Sequence, residues 1–189
     1  LVGSDFAEVV AGLVGQDYES LQYLFFLVGP DDEVRQAYES HIAQHLPLAA
    51  VRKVEGNPGY GPTQNAAARL VEGDNGLFLF LHDDVCLASN AVSELVTELS
   101  RSNAAVVGPK LVQWDDPSLL QHVGMGVDRC GEIDPIVLPG EKDQQQHDAV
   151  ADVFCLPSAC LLVRSDLFRT LGIFHPGITF GGEEIDLCW

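Results

Sequence analysis

Leu77-Phe78-Leu79-Phe80-Leu81-His82-Asp83-Asp84 is the stretch on which the fold turns. Five large apolar residues in succession leave no polar face. Such a strand is stable only with both faces covered, as in the inner strand of a parallel sheet sandwiched by helices. The run stops abruptly at a histidine and two aspartates, so the strand delivers carboxylates to its carboxyl end. Ligands of α/β sheets bind at that end.

Working outward, Phe6, Val9, Val10, Leu13 and Val14 recur at helical spacing over residues 6–16, and residues 21–28 form a continuous apolar run closed by Gly29-Pro30. Residues 31–44 predict a helix with acidic residues in its first turn, 49–54 a short strand, and 62–71 a helix opened by Pro62. Downstream, 88–100 predicts a helix and 104–108 a strand. Residues 109–151, rich in Asp, Gln, Gly and Pro, predict an irregular excursion with a short hairpin around Gly131, partly disordered over 114–149. Strands near 153–156 and 160–163, a helix over 165–171 and an acidic stretch, Gly181-Gly182-Glu183-Glu184-Ile185-Asp186, complete the chain. This alternation predicts an α/β/α sandwich around a mostly parallel sheet.

The 189 residues, 47% of them hydrophobic, suit one domain. Because the first element is a helix and the last stops as it begins, the expectation is a fragment lacking a first strand and a C-terminal continuation. No window reaches the roughly 18 to 20 apolar residues of a membrane span, and no leader peptide is visible, which predicts a soluble, cytoplasmic piece. Any membrane contact is then expected through segments outside this chain, at the cytoplasmic face. A net charge of −18 argues against a nucleic acid polymer or an anionic membrane as partner, since both require clustered Lys and Arg. With ten Lys and Arg in all, a phosphorylated ligand is expected to need a divalent cation held by carboxylates. The five cysteines, odd in number and without a C-x-x-C pair, read as buried reduced thiols.

Three constellations carry chemistry. Asp83 and Asp84 repel each other unless compensated, and a hard cation bridging substrate phosphates would do so. A solvated turn or helix cap is the competing reading. Asn57-Pro58-Gly59-Tyr60-Gly61-Pro62 is a glycine-bearing loop running into a helix, where exposed amides can receive a nucleotide, and Asn65 lies one turn further on. Its spacing fits neither a P-loop nor a dinucleotide fingerprint, and an ordinary turn is its alternative. Glu183 and Glu184 follow two glycines at a helix opening, placed either to remove a proton from a hydroxyl or simply to cap the helix.

Together these segments resemble the GT-A fold of family 2 glycosyltransferases along almost the whole chain. Gly15-Gln16-Asp17-Tyr18 resembles the family's segment after the first helix, and Asn57 through Asn65 its glycine loop. Leu79 through Val85 resembles the strand and DXD-type metal motif, and Gly182 through Trp189 the acceptor motif. Gly108-Pro109-Lys110-Leu111 and Ala159-Cys160-Leu161-Leu162-Val163-Arg164 are similar to segments of the rhamnosyl and galactofuranosyl transferase-like branch. Trp114-Asp115-Asp116-Pro117 and residues 143–148 resemble large actinobacterial members in which membrane helices follow the transferase domain.

The resemblance implies an inverting hexosyltransferase that moves a sugar from a nucleotide diphosphate sugar to a saccharide or lipid-linked acceptor in cell-envelope synthesis. It implies that Asp83 contacts the donor ribose or the metal and that Asp84 holds Mg or Mn. It also implies that Asn57, Gly59 and Asn65 serve the donor, with Glu184 as catalytic base and Glu183 in support. The chain departs from the family pattern in its missing first strand. Phe26, Leu27, Val28 and Gly29 stand where an acidic residue often follows the second strand, and Glu184 stands in place of the usual Asp. A nucleotidyltransferase of similar fold, or a degenerate donor-binding scaffold, is the alternative.

Overall fold

A computed structural model describes residues 2–29, 31–73 and 75–189. The chain opens with helix α1 (Ser4–Val14), then β1 (Leu24–Val28), α2 (Asp32–His45), β2 (Ala50–Val54), α3 (Tyr60–Leu70), β3 (Leu77–Leu81), α4 (Ala91–Ser102) and β4 (Val106–Val107). An excursion follows, with β5 (Leu111–Val112), β6 (Leu120–His122), β7 (Met125–Val127) and β8 (Ile133–Pro135). The chain then returns through β9 (Cys160–Arg164), α5 (Ser165–Thr170) and α6 (Glu183–Cys188).

The α/β class is as expected, but a mostly parallel sheet is not what forms. β1 and β2 pair in parallel, whereas β9 lies between β3 and β4 and is antiparallel to both. The cause is the connection. A parallel neighbour requires a crossover back to the starting edge, usually through a helix. The excursion leaves from the carboxyl end of β4 without a crossover helix, so β9 enters at the end where β4 finished and must run the other way. Residues 153–156 form no strand, and Cys155 makes only an isolated bridge to Met125.

Side-chain parity on β3 and β9 divides the core into two layers. Cys160 and Leu162 of β9, with Leu79 and Leu81 of β3, join the cluster built on α1, α2 and α4. Leu161 and Val163, with Phe78 and Phe80, join Phe168 of α5, Phe174 and Ala68 of α3. From Cys160 to Val163 no residue is more than 2% exposed. Each such Leu or Val contributes roughly 1.5–3 kcal/mol by leaving water. The inner strand covered on both faces is therefore β9, whereas Leu77–Leu81, expected in that place, pairs on one side only and lies at the edge of the three-stranded sheet.

Two local devices fix the element ends that border the site. Asp31 caps α2 by accepting from the amides of Glu33 and Val34. At α4 the residue before the helix supplies no side-chain cap. Gln16 takes its place from a distance, accepting from the Val92 amide at 3.0 Å while donating to the carbonyls of Ala88 and Gly12. The Gly15-Gln16-Asp17 segment thus staples α1 to the helix that follows the carboxylates.

Specific bonds hold the excursion together. β7 and β8 form the hairpin around Gly131, in which Asp128 accepts from the amides of Cys130 and Glu132. Lys110 reaches Asp143 at 2.6 Å and Asp148 at 2.5 Å, tying the far end of the segment to its start. Of the cysteines, only Cys155 and Cys160 are buried, and Cys86 and Cys130 are exposed, which corrects the expectation of buried thiols throughout. Burial pushes the Cys160 thiol up to about 12. None of the five is in a disulfide.

Candidate active site

β3 ends at Leu81, and its pairing with β9 persists one step further, the His82 amide donating to the Ala159 carbonyl at 2.9 Å. Past that point the chain turns and both Asp83 and Asp84 are exposed. His82 packs inward, edge-on to the Tyr60 ring at 4.6 Å between centroids. Its Nδ1 stands 3.8 Å from Asp84 Oδ1, and its Nε2 is buried without a hydrogen-bond partner. Asp83 and Asp84 border a cleft of about 280 Å³ whose other walls are residues 3–6 at the opening of α1 and Tyr38 of α2. A second hollow, about 350 Å³, lies at the opposite end of β3 around Asn75 and Arg164. The first is the better placed for a ligand because it sits at the strand's carboxyl end, and the second is bordered by an Arg164–Asp166 pair already satisfied internally.

The glycine loop packs against the segment that leads to α6. Gly59 adopts φ +101°, and a Cβ there would lie 2.2 Å from the Thr179 carbonyl oxygen, so only glycine fits. The next amide, of Tyr60, donates to that oxygen at 2.9 Å. Asn57 is exposed and its side chain accepts from the Gly59 amide at 3.2 Å. Asn65 is 2% exposed, and its amide is spent on the Phe174 backbone, donating to the carbonyl at 2.8 Å and accepting from the amide at 3.0 Å. Of the three loop residues expected to serve a ligand, Asn57 and Gly59 line the loop itself, while Asn65 braces it from behind.

Gly181 and Gly182, at φ +71° and +92°, turn the chain sharply into α6. Glu183 is then driven inward to 2% exposure, and its Oε1 accepts from the Ser158 hydroxyl at 3.0 Å. Glu184 is half-buried. Its Oε2, like that of Glu183, is shielded from solvent and has no hydrogen-bond partner. Burial holds the Glu184 carboxyl above its usual range, and the neighbouring charge of Glu183 pushes the same way. Tyr60 joins the two carboxylate groups. Its hydroxyl donates to the Ser158 carbonyl at 2.9 Å while its ring lies on His82, and burial, followed by the Glu183 charge, raises its phenol well above the ordinary value.

Two residues of this constellation, Ser158 and the Tyr60 hydroxyl, were not singled out from sequence. The available signal was faint: Ser158 is a small polar residue two positions before a strand with no other polar position until Arg164. Among the described residues no three His, Cys, Asp or Glu side chains converge as a ready metal cage. The exposed pair Asp83 and Asp84 nonetheless offers hard oxygen donors. That set suits a cation that keeps much of its shell for water and phosphate, as magnesium does.

Solved structures share the fold at low identity. The chain is similar to S. aureus TarS, with 17% identity and a TM-score of 0.62 over 96% of this chain and 30% of that one. A form of TarS comprising residues 1–349, in complex with UDP, gives 17% identity and a TM-score of 0.59 over 97% and 49%. GalNAc-T7, solved with UDP, GalNAc and Mn2+, gives 14% identity and a TM-score of 0.73 over 99% of this chain and 37% of that one. The chain thus spans half or less of the length of these proteins. No curated protein matches it in sequence. No helix among the described residues is long and apolar enough to cross a membrane. The model of the family described as "Glycosyl transferase family 2" matches residues 3–172, and with the GT-A type of α/β fold in place the chain belongs to that family.

Proposed function

We propose that this chain is the catalytic domain of an inverting glycosyltransferase that moves a sugar from a nucleotide diphosphate sugar to an acceptor hydroxyl. The observation that carries the reading is the contrast between two carboxylate pairs that Tyr60 links, through its ring contact with His82 and its hydrogen bond to Ser158. Asp83 and Asp84 are open to solvent beside a cleft, whereas Glu183 and Glu184 are desolvated and reached through Tyr60 and Ser158. Exposed carboxylates suit a hydrated cation and its phosphates. A desolvated carboxylate with a raised pKa suits proton abstraction.

Asp84, with Asp83, would hold Mg or Mn, and that ion when bound supplies charge neutralisation for the diphosphate. Asp83 also faces the donor ribose, and Asn57 and Gly59 shape the loop along which the donor lies. Asn65 contributes by fixing that loop through Phe174. Glu184 takes the proton from the acceptor hydroxyl, whose oxygen attacks the anomeric carbon from the side opposite the diphosphate. One displacement breaks the bond to the leaving phosphate oxygen and inverts the centre, with no covalent enzyme intermediate. The UDP carried by TarS and GalNAc-T7, and the Mn2+ of the latter, support a nucleotide donor and a divalent ion. A hexosyl donor, a saccharide or lipid-linked acceptor and a role in cell-envelope polysaccharide or glycolipid synthesis follow the resemblance of residues 108–111 and 159–164 to the rhamnosyl and galactofuranosyl transferase-like branch.

The test is Asp84→Ala in the whole protein. Because Asp84 is exposed and packs against nothing essential, the variant should keep its melting temperature and lose Mn2+-dependent binding of UDP or TDP in calorimetry. Unchanged Mn2+-dependent affinity removes Asp84 from the donor site.

A further inference from the structure

We propose that Ser158 is a positioning residue of the transfer reaction, holding the buried Glu183 carboxylate in place behind Glu184 and locking both to the loop that bears Asp83 and Asp84. The proposal rests on the functional reading above and adds to it a residue outside every motif read from the sequence.

Glu183 is a buried acid with one hydrogen-bond donor among the described residues. Its Oε1 accepts from Ser158 Oγ at 3.0 Å and its Oε2 has no partner. An ionised carboxylate only accepts, so the serine proton is committed to it. Ser158 is itself fixed. It is 6% exposed, its carbonyl receives the Tyr60 hydroxyl at 2.9 Å, and the carbonyl of the next residue, Ala159, receives the His82 amide at 2.9 Å. Two consecutive residues therefore hold three parts of the rim: the glycine loop through Tyr60, the strand end bearing Asp83 and Asp84 through His82, and the acid pair through Glu183.

Plain packing would not call for this arrangement. A buried acid retained only to fill space would be better replaced by an apolar residue, since its second oxygen is left unsatisfied. In a reaction site the same open oxygen is available to a donor brought by the ligand. The Ser158 contact also fixes where the Glu183 charge sits relative to Glu184, the neighbour on the same helical turn whose proton affinity matters for transfer.

The test compares Ser158→Ala and Ser158→Thr with the parent protein, with the pH dependence of kcat recorded for each. Turnover is read as nucleoside diphosphate release from a panel of UDP-, GDP- and TDP-sugars, and donor affinity by calorimetry with UDP and Mn2+. In Ser158→Ala kcat should fall roughly tenfold, with the acid limb of its pH profile displaced and little change in donor affinity, the pattern of an interaction used in the transition state. Ser158→Thr, which keeps the hydroxyl, should restore both. A merely structural serine would change stability without moving the pH profile of kcat, and an unmoved profile with parental kcat overturns the proposal. Should Ser158→Ala fail to fold, Ser158→Cys keeps the size and weakens the donor, and a parental pH profile and kcat in that variant overturn it equally. A parent that turns over no sugar nucleotide defeats the functional reading and this proposal with it, an outcome distinct from an active parent matched by Ser158→Ala.

Discussion

The two carboxylate pairs differ less in chemistry than in solvation, and that difference is what makes Glu184 testable. Its pKa is raised from the ordinary 4.5 mainly by burial. A base must be ionised to act, so turnover should fall as pH drops through this elevated pKa, with an acid limb above the usual carboxylate range. Glu184→Gln keeps the shape and removes the proton acceptor, so kcat should drop by roughly 100-fold or more with donor affinity nearly unchanged. If Glu184→Gln keeps the parental rate, Glu183 or Asp186 becomes the candidate base. The same shift has a stability sign. A folded-state pKa above the unfolded one means that the folded protein holds the proton more tightly, so Glu184 favours folding below pH 4.5 and ceases to do so as pH rises through the raised value. Glu184→Gln should therefore melt at a higher temperature than the parent at neutral pH, with the difference vanishing in acid. Equal melting curves at both pH values would show that the carboxyl is not strained by its surroundings.

At the level of elements, the glycine loop and the turn before α6 behave as one unit because α3 clasps Phe174. Asn65→Ala removes both hydrogen bonds to that residue and strands its backbone amide and carbonyl at a position 0% exposed. The cost should be about 2–4 kcal/mol, from two buried polar groups left unpaired. Denaturant titration should show this loss in Asn65→Ala and none in Asp84→Ala, and equal midpoints would contradict the bracing role. The distinction between these residues is where sequence reading stopped short. Leu77 through Asp84 was legible as a strand ending in carboxylates, but not as the edge strand it is, because an apolar run reads the same at the edge of a sheet as inside it. The hairpin at Gly131 was legible from its turn residues. The direction of β9 was not, because residues 160–163 read the same whichever way the strand runs, and only the missing crossover helix sets it. Nor did spacing reveal that Gln16 caps a helix 76 residues away or that Asn65 faces the protein rather than a ligand, since both depend on contacts between distant segments.

Over the whole molecule, 28 acidic residues face 10 basic ones, and half of those cations are paired with carboxylates. Lys110 is held by Asp143 and Asp148, Arg35 by Asp32, Arg101 by Glu98, Arg164 by Asp166 and Lys53 by Glu39. The cleft at the end of β3 has no basic residue in its wall and includes Asp5, Asp83 and Asp84. A diphosphate approaching it therefore meets repulsion from both the local wall and the net charge of −18 unless a divalent ion accompanies it. This predicts an inversion in salt dependence. Raising NaCl from about 0.1 M to about 1 M shortens the screening length from about 10 Å to about 3 Å. Without a divalent ion, that screening weakens a net repulsion, so the feeble affinity for UDP should improve or hold steady. With saturating Mn2+ the contact becomes an attraction between the bound ion and the phosphates, and the same salt should weaken it. Calorimetry at the two salt levels, with and without Mn2+, reads both signs. Tight metal-free binding that collapses with salt would mean that a basic residue reaches the diphosphate, and Asp83 and Asp84 would then have to be reassigned from the ion to the helix cap or turn that sequence alone also allows.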